Sequence, residues 1–290
     1  NSLAYKCHNC NASMHFSVYL KNFDRSLYDR YRLEQFKADN FSEKREPEID
    51  WTVKHVPETK KYIPNILSGL KSLIELSETH PARKKIDKRQ LPESSYAFLY
   101  YVPKFWKWTT GHTDKFKGYE KFADPDHPRL IIPWYSSDGT LFKYSARAFG
   151  NEQPKYIHIT LDDTVAPFYG LDRIDYDKEI FVCEGQFDSL FIDNCVAIGN
   201  ATLYHFTHVG SDITYIPDSD VRNKEIMKIV HKMISMGLKV CMLPKDLCGK
   251  DVNELIVNQS LTKDQLMNII KSNTYQGLEA ELQFTKWSKV

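Results

Sequence analysis

The chain has 290 residues, of which 42% are apolar, and its 39 basic and 38 acidic side chains leave a formal net charge of +1. This length and composition predict one large domain or two ordinary ones around a real hydrophobic core, and they exclude extended disorder. No run of about 18 apolar residues occurs, which excludes a transmembrane helix and argues against a membrane partner.

The N-terminal segment contains one Cys-x-x-Cys pair, Cys7 and Cys10. Zinc ribbons use two such pairs, so this pair indicates either half of a zinc site or two unligated thiols. The six cysteines of the chain are too sparse for a disulfide scaffold, and they indicate a reducing compartment; the four outside the pair are predicted to be small core residues. A helical pattern follows the pair, and the charged, proline-bearing residues 38–62 predict a linker.

A basic and aromatic stretch follows. Between Trp51 and Phe122 there are 14 lysines and arginines against seven acids, a local excess of +7 that leaves −6 for the rest. Apolar residues at helix spacing predict a partial helix within 63–92. Interleaved cations and rings suit single-stranded nucleic acid, but a solvated basic face over an ordinary aromatic core fits as well. The rings concerned are Tyr96, Phe98, Tyr100, Tyr101, Phe105, Trp106 and Trp108.

From Arg129 onward the pattern changes to strands and helices. Two apolar segments joined by Ser-Ser-Asp-Gly predict a β-hairpin over 129–147. Strands then alternate with helices, which predicts an α/β unit with a mainly parallel sheet. The predicted strands are Ile180–Cys183, Ile213–Ile216 and Lys239–Leu243; the predicted helices are Phe187–Asp193, Lys224–Met236, one from Val252 and one opened by a capping box at Thr262.

Acidic side chains follow each of these predicted strands. Glu184 and Asp188 come after the first, Asp218 and Asp220 after the second, and Asp251 after the third. Ligands of open α/β sheets bind beyond the carboxyl ends of the strands, and carboxylates are the ligands that Mg²⁺ prefers. An isolated Asp-x-Asp is usually a turn or a solvated pair, but three acidic strand ends in succession indicate a metal site.

Two cations, Arg147 and Lys155, flank a glycine-bearing bend just after the hairpin. Beside a metal cluster they would bind the phosphates of a triphosphate or a template. Without the acids nearby, they would be ordinary surface cations.

The acidic segments Glu-Gly-x-x-Asp, Asp-x-Asp and Gly-Lys-Asp-x-Asn together resemble the Toprim domain of primases, topoisomerases and related nucleases. The segment from Ile132 to Tyr156 is similar to the basic motif of the primase RNA polymerase domain. Further similarity to primases of T-even-type bacteriophages is carried by Cys7-His-Asn-Cys10-Asn with Tyr19-Leu-Lys, by Ser189-Leu-Phe-Ile and by Gln276-Gly-Leu. The resemblance covers essentially the whole chain.

The resemblance implies a fold and a domain order. The expected class is α/β: a Toprim fold with a mainly parallel central sheet flanked by helices, preceded by a mixed α+β basic subdomain and the remnant of an N-terminal zinc ribbon. The expected domains are the second half of a zinc ribbon at 1–37, a linker at 38–62, the basic subdomain of the polymerase core at 63–176, the Toprim domain at 177–258 and a helical segment at 259–290.

It also implies an activity: a DNA primase, a DNA-directed RNA polymerase that makes short RNA primers on single-stranded DNA for lagging-strand replication. Ribonucleoside triphosphates would be its substrates, and a hexameric replicative helicase its partner, in the cytoplasm of a host bacterium. Nucleotidyl transfer would use two Mg²⁺ ions, and the complete ribbon would hold Zn²⁺.

The resemblance assigns roles residue by residue. Glu184, Asp188, Asp218 and Asp220 match catalytic acids; Glu184, Asp218 and Asp220, supported by Asp251, match Mg²⁺ ligands. Arg147 and Lys155 match the basic motif that binds substrate or nucleic acid, and Cys7 and Cys10 match half of the zinc site. The sequence departs from the pattern at Asn253, where Toprim domains have an acid, which argues against a primary ligand there.

Two other functions fit parts of the sequence. A Toprim nuclease would use the same acids but does not require the Arg147 and Lys155 segment. A non-catalytic factor that binds single-stranded DNA or associates with the helicase would tolerate the loss of Glu184 and Asp218. A topoisomerase is disfavoured, because the remaining length holds neither a catalytic tyrosine domain nor a gate domain.

Overall fold

The computed structural model divides the chain into two units, Asn1–Asp50 and Trp51–Val290. In the first unit, strands β1 (Ala4–Lys6) and β2 (Ser13–His15) pair antiparallel. The predicted linker 38–62, most of the helical pattern before it, Cys7 and Cys10 lie outside the described residues. The structure describes residues 4–6, 13–15, 18, 20, 27–28, 31, 65–113, 126–199, 206, 211–244, 247 and 249–289.

The second unit begins with an antiparallel sheet of five strands in the spatial order β3-β4-β5-β6-β7. Strands β5 and β6 form the predicted hairpin, which confirms that prediction. The strands are β3 (Lys71–Ser72), β4 (Tyr100–Val102), β5 (Arg129–Tyr135), β6 (Leu141–Ala148) and β7 (Tyr156–Thr160); helices α1 (Pro81–Asp87) and α2 (Phe105–Thr110) lie between β3 and β5 in sequence.

The helix predicted within 63–92 is mostly wrong. Gly69 takes a left-handed φ of 86° and interrupts the apolar pattern, which then enters β3 and a 3-10 turn at Leu73–Glu75. Within the described residues 65–92, only α1 is α-helical, and it starts at Pro81, whose fixed φ suits the first helical position.

A second sheet follows, with the order β12-β11-β10-β8-β9. The strand pairings from β11 to β9 are all parallel, and only β12 runs antiparallel to its neighbour β11. The alternation of strands and helices predicted from the sequence is confirmed. The elements are β8 (Ile180–Cys183), β9 (Cys195–Ala197), β10 (Ile213–Ile216), α3 (Lys224–Ser235), β11 (Lys239–Cys241), α4 (Val252–Gln259), α5 (Lys263–Ser272), β12 (Thr274–Tyr275) and α6 (Gly277–Trp287).

Two details of this second half differ from the prediction. The helix expected over Phe187–Asp193 is a single 3-10 turn, Asp188–Leu190, because the chain must turn at once into β9. Strand β12 and helix α6 follow the helix that the capping box at Thr262 opens, and β12 adds an edge to the same sheet as β11.

One hydrophobic core joins the two sheets. Leu130, Ile132 and Trp134 of β5 pack with Val182 and Val196 of the second sheet, while alternate residues of the hairpin form a smaller cluster on the far side. Three of the four predicted core cysteines are buried, and the fourth lies outside the described residues; the buried ones are Cys183, Cys195 and Cys241. None of the helices in the described part of the chain has the length and apolarity needed to cross a membrane.

Candidate active site

A pocket of about 410 Å³ lies where the carboxyl ends of the parallel strands face the antiparallel sheet. Its lining has an acidic side and a basic side. The acids are Glu184, Asp188, Asp218 and Asp251, and the cations are Arg89, Arg147, Lys155 and Lys250. The structure therefore brings together four of the five predicted acids and both predicted cations.

The turn after β8 sets the first two acids. Glu184 follows the strand directly, and Asp188 folds back over Gly185 within the 3-10 turn. A Cβ at residue 185 would clash with Asp188 Oδ2, so only glycine permits this close approach. The backbone N–H of Asn253 donates to Asp188 Oδ1 at 2.8 Å, which ties the turn to helix α4.

The other acids occupy different positions. Asp218 follows β10 and lines the pocket, whereas Asp220 is exposed and lies outside the lining, with its Oδ1 accepting from the backbone N–H of Arg222 at 3.4 Å. Asp251 is the N-cap of α4: its Oδ1 accepts from the backbone N–H of Glu254 at 2.7 Å. Asp220 therefore lies outside the pocket lining to which the other predicted acids belong.

Crowding and burial make the ionised acids unfavourable in this pocket. Burial, with a further contribution from Asp251, raises the pKa of Asp188 to about 7. Burial and the charges of Glu184, Asp188 and Asp251 raise the pKa of Asp218 to about 8. Burial, followed by Asp251, also raises the pKa of Glu184. A bound cation would relieve this repulsion.

The donor set fits an open magnesium site rather than a closed cage. Among the described residues, no three histidine, cysteine or acidic side chains converge as a ready-made metal site. Magnesium commonly binds through one or two carboxylates and completes its shell with water and substrate phosphates. The acids of the pocket meet that requirement.

Arg147 is the most deeply held cation of the pocket. It is 8% exposed and lies 4.8 Å from the ring centroid of Tyr156 and 4.9 Å from that of Phe187. Its Nη1 also donates to the Tyr156 hydroxyl. Lys155 is exposed, and its pKa is lowered chiefly by Arg147 and then by burial. The cations therefore crowd one another as the acids do.

Beside Arg147 on the same face of the sheet, a hydroxyl network is built around Ser145. The Ser145 hydroxyl accepts from Trp134 Nε1 at 2.9 Å and from Gln186 Nε2 at 2.8 Å, and it lies 2.9 Å from His158 Nδ1. The two accepted hydrogen bonds use both lone pairs of the Ser145 oxygen, so its single proton is donated to Nδ1 of His158. His158 therefore carries its own proton on Nε2. Burial, then Lys143, lowers the pKa of His158 to about 4, so the ring that lines the pocket is neutral.

A basic groove adjoins the pocket. It measures about 500 Å³ and shares Arg89, Arg147 and Lys155 with the pocket, to which it adds Lys85 and Lys88. The aromatic residues of the same stretch serve mainly the core: Phe105 is fully buried, and Tyr96 is buried with its hydroxyl donating to Asp87.

Sequence reasoning missed several lining residues. Arg89 had no local signal, because a tertiary contact with Asn253 holds it at the pocket. Gln186 lies between Glu184 and Asp188, within the acidic segment itself. Lys250 and His158 lie within or next to the segments that carried the resemblance, and their position after a strand end or on the β7 face could have indicated them.

The sequence and the structure of the chain were compared with those of known proteins. No protein-family model matches the chain. The chain is 30% identical to the DNA primase of Enterobacteria phage T4 over 287 residues, which cover 98% of this chain and 81% of that protein.

Solved structures share the fold. The zinc binding and RNA polymerase domains of the Aquifex aeolicus primase match with a TM-score of 0.55 at 18% identity, covering 98% of this chain and 76% of that one. The RNA polymerase domain of the Mycobacterium tuberculosis primase DnaG gives 0.52 at 17%, covering 74% and 81%. A DnaG primase catalytic domain bound to ssDNA gives 0.51 at 16%, covering 72% and 79%.

These similarities place the two sheets and their helices in the mixed α/β fold of primase RNA polymerase domains. The alignment with the phage T4 protein extends across nearly the whole chain. The chain belongs to the DNA primase family.

Proposed function

We propose that this protein is a DNA primase that synthesises short RNA primers on single-stranded DNA for lagging-strand replication. One observation carries the proposal: carboxylates at the ends of parallel strands face a set of cations across a single pocket. Nucleotidyl transfer needs both, because a polyphosphate substrate brings negative charge and a divalent metal together. The primase names and the ssDNA-bound relative support the same reaction.

In the proposed mechanism, Asp218 and Glu184 would hold Mg²⁺, with Asp251 in support and Asp220 as a further candidate outside the pocket lining. Two bound Mg²⁺ ions would supply stabilisation of the attacking and leaving oxygens. Arg147, Lys155, Arg89 and Lys250 bind the triphosphate and neutralise its charge. Glu184 is either a ligand or the base that takes the proton of the attacking 3′-hydroxyl.

The adjoining basic groove is proposed as the path of the template strand. Lys85 and Lys88 would contact successive phosphates beyond the pocket, while Arg147 and Lys155 lie at the junction. This division leaves the acids to the reacting nucleotide and the groove to the template.

The domain assignment is part of the same proposal. We assign the Toprim domain to 177–258, the basic polymerase subdomain to 63–176 and a helical segment to 259–290. The parallel strands β8, β10 and β11, each followed by an acid, support the Toprim assignment. A hexameric replicative helicase is the proposed partner in a primosome, and the cytoplasm of the bacterial host is the proposed place of action.

We further propose that Cys7 and Cys10 supply half of a zinc ribbon in segment 1–37, followed by a linker at 38–62. The antiparallel strands β1 and β2 flank the pair in sequence, and the Aquifex aeolicus match includes a zinc binding domain. Metal analysis of the chain and of the Cys7→Ser variant tests this site. Zinc that survives Cys7→Ser would contradict it.

The activity is tested by incubating the chain with circular single-stranded DNA, labelled ribonucleotides and Mg²⁺, with and without the helicase. Short labelled RNA, absent in an Asp218→Asn variant, is the expected product. Shortened DNA without RNA would favour a nuclease, and DNA binding without either product would favour a non-catalytic factor. A polymerase additionally requires Arg147 and Lys155, so alanine at either separates it from a nuclease.

A further inference from the structure

Asn253 occupies the position at which the Toprim pattern has an acid, and it is 3% exposed. All of its hydrogen-bonding groups beyond its own backbone carbonyl have partners. Its Oδ1 accepts from Arg89 Nη1 at 2.8 Å, and its Nδ2 donates to the backbone carbonyl of Arg89 at 2.7 Å. Its backbone N–H donates to Asp188 Oδ1. The side-chain amide of Asn253 therefore forms two hydrogen bonds with Arg89 on the basic side, and its backbone N–H forms one with Asp188 on the acidic side.

Arg89 lies at a point of the chain where the backbone conformation depends on contacts with its surroundings. It follows the end of α1, and the next residue, Gln90, has a left-handed φ of 51°. A left-handed non-glycine residue persists only where its surroundings hold it. The Asn253 amide satisfies the carbonyl of Arg89, which joins directly to Gln90, and so it holds the backbone at this point.

The same contact directs the Arg89 guanidinium. With Nη1 bound to Asn253, the guanidinium carbon lies 5.7 Å from the centroid of the Phe187 ring. Arg147 lies 4.9 Å from the centroid of that ring. Phe187 and Asn253 thus bring two arginines from distant parts of the chain to one wall of the pocket.

An amide side chain can form both hydrogen bonds with Arg89, whereas an ionised carboxylate can form only the one that it accepts. The contact with Arg89 requires a donor toward a carbonyl and an acceptor toward a guanidinium at the same time. An aspartate would keep the acceptor, lose the donor and place a further negative charge next to Asp188, whose pKa is already raised.

We propose that Asn253 is a positioning residue that holds Arg89 for the phosphates of the bound nucleoside triphosphate, and that it is not a metal ligand. The identity of the ligand rests on the proposed function. It follows that Asn253→Asp, which restores the acid of the Toprim pattern, weakens nucleotide binding instead of strengthening metal binding.

The test compares Asn253→Asp and Asn253→Ala with a matched amide-to-acid control. Gln265→Glu adds the same charge at the capping box of α5, where glutamate accepts the same hydrogen bond from Thr262. KM for ribonucleotides should rise about ten-fold in both Asn253 variants, with the Mg²⁺ concentration for half-maximal rate unchanged and Gln265→Glu unaffected. A lower Mg²⁺ requirement in Asn253→Asp with unchanged KM would overturn the proposal.

A double-mutant cycle separates positioning from general damage. In an Arg89→Ala background, Asn253→Ala should add less than about two-fold to KM, because the residue through which it acts is gone. Independent, multiplying effects would overturn the proposal. If the Asn253 variants do not fold, as judged by their melting curves, Arg89→Ala alone must still raise KM about ten-fold, and an unchanged KM would refute the role of Arg89.

Titration of the chain with a fluorescent ATP analogue and Mg²⁺ keeps the two proposals apart. The same ten-fold loss of affinity in Asn253→Asp is expected there, whether or not RNA is made. A wild-type chain that binds the analogue about ten-fold more tightly than Asn253→Asp does, but makes no RNA, would refute the primase proposal alone. Equal affinity of wild type and Asn253→Asp would refute the positioning role alone.

Discussion

The two sides of the pocket are built in different ways. The acids are set by short stretches of backbone: a strand end for Glu184 and Asp218, a glycine turn for Asp188 and a helix N-cap for Asp251. The cations come from the segment after α1, from the β6–β7 region and from the segment before α4, and side-chain contacts with residues distant in sequence fix Arg89 and Arg147.

The two sides share one electrostatic property. Each crowds charges of one sign, so burial and neighbouring acids raise the pKa of Asp188 and Asp218, while neighbouring cations lower that of Lys155. A substrate that brings both a divalent metal and phosphates relieves the repulsion on both sides. The comparison therefore predicts that the acids govern how the rate of primer synthesis depends on Mg²⁺ concentration, and that the cations govern how it depends on nucleotide concentration.

The largest effect is expected on the acidic side. Asp218→Ala should reduce primer synthesis by about 10²–10³-fold or more, because in the proposed mechanism it removes a carboxylate that would hold Mg²⁺. The rate of RNA synthesis at saturating nucleotide measures the effect, with a circular dichroism spectrum as the check on folding. Near-normal synthesis by a folded variant would remove Asp218 from the site.

On the basic side, the largest expected effect on stability is at Ser145. Ser145→Ala leaves Trp134 Nε1, Gln186 Nε2 and His158 Nδ1 without their shared partner. Unpaired buried groups cost about 1–3 kcal/mol, which the free energy of unfolding in urea measures. Ser136→Ala, at the exposed hairpin turn, is the control and should change stability less. Equal stability of wild type and Ser145→Ala would mean that this network does not hold the basic side.

A smaller effect is expected from pH. Asp188 and Asp218 have pKa values of about 7 and about 8 in the folded chain, above the ordinary value near 4 in the unfolded chain. The folded state therefore binds more protons than the unfolded state between pH ~4 and ~8, and the metal-free protein loses stability as pH rises through that range. Each 1 kcal/mol corresponds to about 2–4 °C in the melting temperature.

Two further measurements of the melting temperature sharpen this pH test. Asp218→Asn should flatten the dependence, because the amide does not ionise, and Mg²⁺ should raise the melting temperature at pH 8 more than at pH 5. A melting temperature of the metal-free wild type that rises from pH 5 to pH 8 would contradict the raised pKa values.

The smallest effect is expected in the basic groove. Lys85 and Lys88 are exposed there, so replacing both with alanine should weaken single-stranded DNA binding several-fold. The slope of log Kd against log salt should fall by about 0.7 for each phosphate that a lysine no longer neutralises. A double alanine variant of Lys228 and Lys263, which lie on α3 and α5, changes the net charge equally and serves as the control. Equal slopes for the two double variants would place the template elsewhere.

The acidic side was largely predictable from the sequence, and the basic side was not. Strand, turn and helix N-cap are local, so Glu184, Asp188, Asp218 and Asp251 could be placed at one sheet edge from hydrophobic pattern alone. Asp220 does not line the pocket with them, because the chain turns away after Asp218 toward α3, and its role as a metal ligand stays a prediction.

Arg89 shows why the basic side needs the structure. It follows a helix whose neighbouring apolar residues had suggested a longer helix, and its partner Asn253 is 164 residues away in sequence. Asn253 itself was recognised as a departure from the Toprim pattern, yet its contact with Arg89 could not be inferred, since both groups acquire their roles only when the two sheets pack together.

One kinetic comparison tests the division of labour between the two sides most directly: the rate of primer synthesis as a function of nucleotide and of Mg²⁺, for Arg147→Ala and Lys155→Ala beside Glu184→Gln. The cation variants should need about ten- to a hundred-fold more nucleotide at an unchanged Mg²⁺ optimum, since a charge-assisted contact is worth about 1.5–3 kcal/mol. Glu184→Gln should shift the Mg²⁺ dependence instead. Unchanged nucleotide dependence in both cation variants would contradict the account, because the basic side would then have no part in binding the substrate.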